Sequence, residues 1–406
     1  MSWCNKPAVF TFALQFPFRH GQAHFLCIRR HHSRLAQVLP LQAILAAVRW
    51  YYLRLSNRVF EALNASDFLR GIIAREHTVE LAVVLASWFE DYANEIGLWA
   101  IFVRKNKELH GYELPFYNLD DYDPDDMNPE DIAYLVWHFC CNATNKIFSP
   151  DNADLLKMAD ALLETFDEAL DEAPGTDFYD DFLHIAPDIY FFNLKSKLYW
   201  LAFQCYLTAP EMRREMDEAV RKLLEEKNDL LRAYDDPNKL IYTMQDDYLY
   251  KKCSSFLAFT MPDWLAEVAR CPDDSLHDDI RKLSRRVLGE FVYEAYEGDY
   301  YKFRYLHTKR LFLVQQESVT LKGISLGELV LTSIVEWRGE WWVTGTIANL
   351  GNAEFALKNT NKKFDPSTVS FYAWPEEQQQ VLRDTASNME GGLPRILWRS
   401  NGIFQR

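Results

Sequence analysis

Helical periodicity along most of the chain is the feature that most constrains its fold. From about Leu41 to Tyr301, apolar residues recur at steps of three and four, as on one face of an α-helix. The clearest stripe lies on a helix predicted from about Thr78 to beyond Gly97 and consists of Leu81, Leu85, Trp88, Tyr92, Ile96 and Trp99. Other helices are predicted over 41–63, 129–142, 151–172, 188–207, 210–234 and 276–298. Residues 46–302 are therefore predicted to form a helical domain.

The pattern changes beyond about Phe303 to short runs rich in β-branched and aromatic residues, which are typical of strands. These runs are "RLFLVQQ", "ESVTLK", "ELVLTSIVEW" and "WWVTGTI". They predict a small antiparallel β module over 303–350, followed by a segment over 351–406 with one helix near 375–390, which starts at Pro375. The predicted fold class is α+β, a mainly helical N-terminal domain followed by the β module.

The dipeptide Arg338-Gly339 sets the register of the predicted module, because two residues suffice for a hairpin loop. Trp337 then faces Glu340, and Val335 faces Trp342. One face collects an apolar set that we expect to form the core of the module, namely Val330, Ile334, Trp341, Val343 and Ile347, with Trp341 buried. Trp337 and Trp342 lie on the other face. We expect them either to dock on the helical domain or to form a partner surface.

Residues 1–45 differ from the rest of the chain in charge and in pattern. They contain no acidic residue, four histidines, and short apolar runs interrupted by Pro, Arg and Gln. We interpret them as a basic leader that is either not native to the protein or a targeting segment.

Charge and composition exclude several classes of protein. The net charge is −15 and no Asp or Glu precedes Glu61, so the body of the chain is strongly acidic and disfavours binding to nucleic acid. No apolar run is long enough to span a membrane. The seven cysteines include no C-x-x-C pair, which favours reduced thiols in a cytoplasmic protein over a zinc site or a disulfide framework.

The stretch "NLDDYDPDDMNPEDIAYLVWHFCC", residues 118–141, resembles a metal site because of its many carboxylates. An EF-hand calcium loop would begin with Asp121, Asp123 and Asp125 as ligands. The loop then requires Gly at its sixth position and Glu at its twelfth, where this chain has Asp126 and Ile132. These three aspartates are therefore weak metal candidates, and neither metal nor cofactor is predicted.

Helix capping accounts better for the same stretch. Asn128 is placed as the N-cap, Pro129 at the first helical position and Asp131 at the third, where its carboxylate can reach back to the cap. Glu130 lies in the first turn, at the positive end of the helix dipole. His138 lies among apolar residues and is predicted to be a hydrogen-bonded core histidine.

Other catalytic templates also fail in this sequence. "GISLG", 323–327, matches the nucleophile elbow of α/β-hydrolases, but a predicted strand follows Ser325 where the motif needs a helix. The last histidine, His307, precedes Ser325, so the order of a hydrolase triad is absent. No histidine has Glu three residues before it, and no phosphate-binding glycine loop occurs.

Three segments carry a resemblance to a known family. They are "YYLRLSNRVFEAL" (51–63), "ELAVVLASWFEDYANEIGLWAIF" (80–102) and "ELPFYNLDDYDPDDMNPEDIAYLVWHF" (113–139). They resemble domain of unknown function 3843, an uncharacterised bacterial family, over about 50–350. The resemblance implies a cytoplasmic bacterial protein and assigns no catalytic residue.

Two functions are compatible with these observations. The failure of each catalytic template and the supply of aromatic residues favour a non-catalytic intracellular interaction or scaffold protein, with a protein partner and with Trp337 and Trp342 as candidate contacts. The alternative is a hydrolase, with or without a divalent metal, whose carboxylates would be Glu90, Asp91, Glu130 and Asp131.

Overall fold

The structure is a computed structural model that describes residues 38–117, 119, 122–225 and 237–352. The chain divides into two units, Met1–Trp50 and Tyr51–Arg406, and the contacts described below lie within the second. Up to Lys282 the described elements are helices: α1 Val38–Ala65, α2 Asp67–Arg70, α3 Arg75–Ala93, α4 Leu98–His110, α5 Pro129–Thr144, α6 Ala153–Leu170, α7 Phe178–Leu183, α8 Phe191–Phe203, α9 Ala209–Glu225, α10 Pro237–Tyr250, α11 Met261–Val268 and α12 Asp274–Lys282. None of these described helices is long and apolar enough to cross a membrane.

The apolar stripe predicted around α3 is buried, but the helix is shorter than expected. Leu81, Leu85 and Trp88 are almost fully buried. The helix ends at Ala93 because Glu95 and Gly97 adopt left-handed backbone conformations. The chain turns there and α4 begins, so the last residue of the predicted stripe, Trp99, lies on a second helix.

The prediction of one helix over 276–298 is wrong for the second half of this range. α12 ends at Lys282, and Val287–Glu297 is a strand. Its side chains alternate between the two faces of a sheet, and Phe291 and Tyr293 point into a core. Pairing with two other strands decides the conformation of this segment. Its own sequence does not reveal that pairing. The strands therefore begin before residue 303, the predicted start of the β module.

Five of the six strands close into a small barrel. The strands are β1 Val287–Glu297, β2 Tyr300–Tyr305, β3 Leu311–Gln315, β4 Glu328–Trp337, β5 Glu340–Val343 and β6 Ala348–Asn352. Pairing runs β1-β2-β3-β5-β4, and β4 pairs again with β1, while β6 also pairs with β4. All pairs are antiparallel except β3 with β5. This is the strand order of an OB-fold barrel, a topology that by itself assigns no ligand.

The β3–β4 connection contains the run "ESVTLK", which was expected to be a strand. It instead contains a short 3-10 helix over Gln316–Ser318 followed by irregular backbone. Val319 and Leu321 pack against the barrel core. These apolar residues are therefore buried although they do not belong to a strand.

The predicted hairpin register is confirmed. Trp337 pairs with Glu340, and Val335 pairs with Trp342. Arg338 and Gly339 both have positive φ, as a two-residue hairpin turn of type I′ requires. The predicted apolar face forms the barrel core, with Val330, Ile334 and Val343 buried and Trp341 and Ile347 partly buried. Trp341, which is predicted to be buried, is therefore only partly buried.

The opposite face of the hairpin docks on helices. Trp342 stacks on Phe191 of α8 with ring centroids 5.2 Å apart. Deeper in the interface, the ammonium of Lys195 on α8 lies 2.8 Å from the carboxylate of Asp246 on α10. Asp246 also accepts hydrogen bonds from the hydroxyls of Ser333 and Thr344. The barrel and the helices therefore share a continuous interface that contains a buried ion pair.

Candidate functional site

Asp91, one of the predicted catalytic carboxylates, caps the N-terminus of α4. Its two oxygens accept hydrogen bonds from the backbone N–H groups of Gly97, Leu98 and Trp99 at 2.8–3.1 Å. The hydroxyl of Tyr206 donates a fourth hydrogen bond at 2.6 Å. Four donors fill the acceptor capacity of a carboxylate, so Asp91 has no oxygen lone pair left for a metal or a substrate.

Asp131 and Asn128 form the capping box predicted from the sequence. The backbone N–H of Asn128 donates to the Asp131 carboxylate at 3.4 Å at the start of α5, and the Asn128 side-chain oxygen accepts from the backbone N–H of Asp123. Tyr122 donates a further hydrogen bond to Asp131 at 3.0 Å. Burial raises the pKa of Asp131 to about 7. Asp131 therefore serves the helix start, as the capping interpretation predicted.

The other predicted carboxylates have different surroundings. Glu90 accepts a hydrogen bond from Tyr179 at 2.8 Å, and burial raises its pKa. Glu130 is half-buried in the first turn of α5. Asp123 accepts from the backbone of Asp125 at 3.0 Å in a local turn.

The metal candidates remain without support. Asp121 lies outside the described residues, and Asp123 and Asp125 are exposed. Within the described ranges, no group of three or more His, Cys, Asp or Glu residues is arranged to hold a metal ion. The five described cysteines are free thiols.

A small pocket lies between α3, α5, α9 and the loop before α11. About 10 Å³ of it is accessible to a water-sized molecule, which is room for about one water. Its walls combine apolar and polar side chains, including Val84, Leu207, Pro210 and Phe256 among the former and His138, Asn142, Glu211 and Arg214 among the latter. Small-molecule sites are larger, at roughly 300–1,000 Å³, so these walls enclose room for a water rather than for a ligand.

His138, Ser255 and Glu211 form a hydrogen-bonded chain beside this pocket. The Ser255 hydroxyl lies 2.8 Å from His138 Nε2 and donates to Glu211 at 2.7 Å. The Ser255 backbone N–H donates to the same Glu211 oxygen at 2.9 Å. Burial raises the pKa of Glu211 to about 7 and lowers that of His138 to about 3.

This chain differs from a hydrolase triad. In a triad the histidine lies between the serine and the carboxylate and accepts the serine proton. Here the serine lies in the middle, and its proton points to Glu211. A histidine with so low a pKa is also a weak base. His138 is thus the hydrogen-bonded core histidine that the sequence predicted.

Arg214 is the polar group of the pocket whose hydrogen bonding is incomplete. Its guanidinium lies over the ring of Phe139, 5.2 Å from the centroid. Its Nη1 is buried, and among the described residues it has no hydrogen-bond partner. Sequence reasoning missed Arg214, Glu211 and Ser255, because "EMRREM" carries no motif beyond helical periodicity.

Residues 35–316 match the sequence profile of the family described as Protein of unknown function (DUF3843). The chain belongs to this family. The resemblance found in the sequence is therefore confirmed. The matched range of this DUF3843 member includes all the pocket residues and ends after β3. No curated protein and no solved structure matches the chain.

The two tryptophans considered for a partner surface lie beyond the DUF3843 match and are buried. Trp337 is 3% exposed and Trp342 is 7% exposed. Trp342 also contacts Tyr190 and Phe192 edge-on. Of the two outcomes expected for these side chains, docking on the helices is seen for Trp342, and Trp337 is buried as well.

Proposed function

We propose that the protein is a non-catalytic interaction protein of the bacterial cytoplasm, and that it holds a protein partner on the outer face of β2 and β3. The observation that carries this proposal is an exposed pair of leucines on β3. Leu311 and Leu313 are 40% and 47% exposed and alternate with the buried Phe312 and Val314. Both therefore point outward on one face of the barrel.

The charge of the same hairpin indicates the chemistry of the partner. Between Tyr300 and Gln316 the chain has four Lys or Arg residues and no Asp or Glu, although the protein carries a net charge of −15. Lys302 and Arg304, which lie opposite Leu313 and Leu311, form ion pairs with Glu297 and Glu294 of β1. Lys309 and Arg310, in the turn beside the exposed leucines, suit a protein segment that presents apolar and acidic side chains.

Nucleic acid is a poorer fit to this face. Proteins that hold single strands on OB-type barrels stack bases on aromatic side chains. The outward positions on β3 are leucines, and the outward Tyr300 of β2 donates its hydroxyl to Glu340 at 3.0 Å. The face thus offers aliphatic contact area rather than a stacking platform.

Affinity capture from the source cell, with the full chain as bait, tests the proposal. We expect a partner that binds the wild type and is lost with Leu311→Ser/Leu313→Ser. Leu326→Ser is the matched control, since Leu326 is 62% exposed in the loop before β4 and lies off this face. Retention of the same proteins by all three baits would contradict the proposal. Loss of the partner on nuclease treatment would show a nucleic-acid ligand instead.

The hydrolase alternative has weaker support, because Asp91 and Asp131 are occupied by capping hydrogen bonds. A thermal-shift screen with divalent cations and nucleotides tests it. A ligand at 100 times its dissociation constant adds about 2.7 kcal/mol to stability. A shift that disappears with Glu90→Gln would favour the hydrolase.

A further inference from the structure

We propose that the partner of the barrel face is a second copy of this chain, bound through a surface patch around Phe116 on its helical part. The barrel face is the outer face of β2 and β3, with Leu311 and Leu313. The inference rests on the proposed function, because it names the occupant of that face. The two surfaces differ, so the copies associate head to tail.

Four apolar side chains, Phe68, Phe116, Ile147 and Phe148, form what we call the Phe116 patch. Phe116 is 41% exposed and Ile147 is 39% exposed. The Phe116 ring lies edge-on to the buried Trp137, with centroids 5.3 Å apart. Trp137 donates a hydrogen bond to the backbone oxygen of Phe148 at 2.9 Å, and Phe148 packs edge-on against Phe68. These contacts connect the three phenylalanines through Trp137, and Ile147 adjoins Phe148 in the chain.

The backbone at Phe116 supports a role for its exposed ring. Phe116 has a φ of 82°, in the left-handed region that bulky residues rarely adopt. Strained residues of this kind cluster at functional positions. Burial of the ring does not account for the strain, because so much of the side chain faces solvent. A partner that covers the ring gives the strained conformation a function.

The surroundings of the Phe116 patch are acidic. From Gly111 to Leu156 the chain has ten Asp or Glu residues and one Lys. Burial and the carboxylates of Glu130 and Asp151 raise the pKa of Tyr117, the residue that follows Phe116. Two of the ten carboxylates therefore lie close to the patch. Acidic groups beside exposed apolar rings suit a partner with basic and apolar side chains.

The barrel face complements the Phe116 patch in both respects. Leu311 and Leu313 supply apolar contact area, and Lys309 and Arg310 are exposed in the turn before them. Opposite charges beside an apolar contact speed encounter, fix its orientation and disfavour partners of like charge. A contact between two different surfaces is heterologous, so a dimer leaves one surface of each kind open. Larger oligomers therefore form as the concentration rises.

Sedimentation velocity of the purified full chain tests the proposal with variants of each surface. We expect the wild type to associate with rising concentration, and Leu311→Ser/Leu313→Ser and Phe116→Asn each to weaken association by about tenfold or more. Phe116→Asn should fold, because Asn tolerates positive φ. Leu326→Ser and Phe178→Ser are controls that change exposed residues outside both surfaces, and they should associate as the wild type does.

Mixing the two weakened variants tests the head-to-tail arrangement. The Leu311→Ser/Leu313→Ser chain keeps the Phe116 patch, and the Phe116→Asn chain keeps the barrel face. An equimolar mixture therefore has one intact contact, and we expect heterodimers without larger species. A monomeric wild type, or association that either folded variant retains in full, would overturn the proposal. A mixture that stays monomeric while the wild type associates would overturn it as well.

Affinity capture with the Leu311→Ser/Leu313→Ser bait separates this inference from the proposed function. Loss of a different protein from that bait, together with a monomeric wild type, would support the proposed function and show the second-copy assignment to be wrong. If neither capture nor self-association depends on Leu311 and Leu313, both proposals are wrong.

Discussion

At the scale of single residues, two aspartates stabilise helix starts, one near to its helix start in sequence and one across a turn. Asp131 stabilises a helix start that lies next to it in sequence, and a capping pattern reveals it. Asp91 caps a helix six to eight residues further along, across a turn, and also holds Tyr206. No local pattern predicts this second arrangement, which is why Asp91 resembles a catalytic candidate in the sequence.

Replacing Asn128 with Ala should lower the free energy of unfolding by about 1 kcal/mol, because the turn that leads into α5 loses the hydrogen bonds of this side chain. The Asn128 amide also donates to the backbone oxygens of Asp123 and Asp126. Urea denaturation measures the change. The combined change of Asp123, Asp125 and Asp126 to Asn should have little effect. Micromolar calcium affinity that the triple change abolishes would instead support a metal site.

Glu211 should make stability depend on pH. Its pKa of about 7 in the folded protein exceeds that of an unfolded Glu, near 4.3, so the folded state alone holds this proton between the two values. Its contribution to stability therefore falls as the pH rises through that window. His138 acts in the opposite direction, because burial lowers its pKa to about 3.

The contribution of Glu211 is therefore measured as the difference in unfolding free energy between the wild type and Glu211→Gln. From pH 5 to 7.5, the unfolding free energy of the wild type should fall relative to that of the variant by on the order of 2 kcal/mol. Denaturation at both pH values measures it. Glu61→Gln, an exposed change, is the control. A difference that does not vary with pH would contradict the prediction.

At the scale of elements, the two faces of the β4–β5 hairpin follow from the local sequence pattern. The segment 276–298, by contrast, is predicted to be one helix, and its second half forms β1 in the structure. The two-residue turn sets which side chains share a face, and a slip of one residue would exchange the faces. β1 lacks such a local constraint, since it pairs with β4 through one half and with β2 through the other.

Trp342→Ala should cost about 3–5 kcal/mol of unfolding free energy, because the side chain is buried against α8. Trp341→Ala should cost less, roughly 1–2 kcal/mol, since Trp341 is half-buried where β3 meets β5. Chemical denaturation of the two variants compares them. A larger loss of unfolding free energy for Trp341→Ala would contradict this prediction. It would show that packing in the barrel interior stabilises the hairpin more than docking on α8 does.

Lys195 and Asp246 should be strongly coupled. Burial lowers the pKa of Lys195, but the carboxylate of Asp246 raises it by more, so that this pKa lies above its usual value. Lys195→Met or Asp246→Leu alone should cost about 3–5 kcal/mol, because each leaves a buried charge without its partner. The double variant should cost clearly less than the sum, as a double-mutant cycle measures. Additive costs would show that the pair does not act as a unit.

At the scale of the whole molecule, residues 1–45 and the body of the chain differ in charge and periodicity. α1 begins at Val38, so deletion of residues 1–37 leaves it intact. We expect a truncated protein that keeps a cooperative thermal transition and is more soluble, because an acid-free segment with apolar runs is removed. Calorimetry and solubility measurements test this. Loss of the cooperative transition on truncation would contradict it.

The sequence by itself determined the α+β class, the cap of α5 and the two faces of the β4–β5 hairpin. Each depends on residues a few positions apart, where helical period, cap spacing and strand alternation act. The tertiary structure alone decided that the barrel closes through β1 and β4 and that Trp342 docks on α8. It also placed Arg214 beside Glu211 and His138. These features join residues distant in sequence, and their stability comes from burial and pairing that no local segment provides.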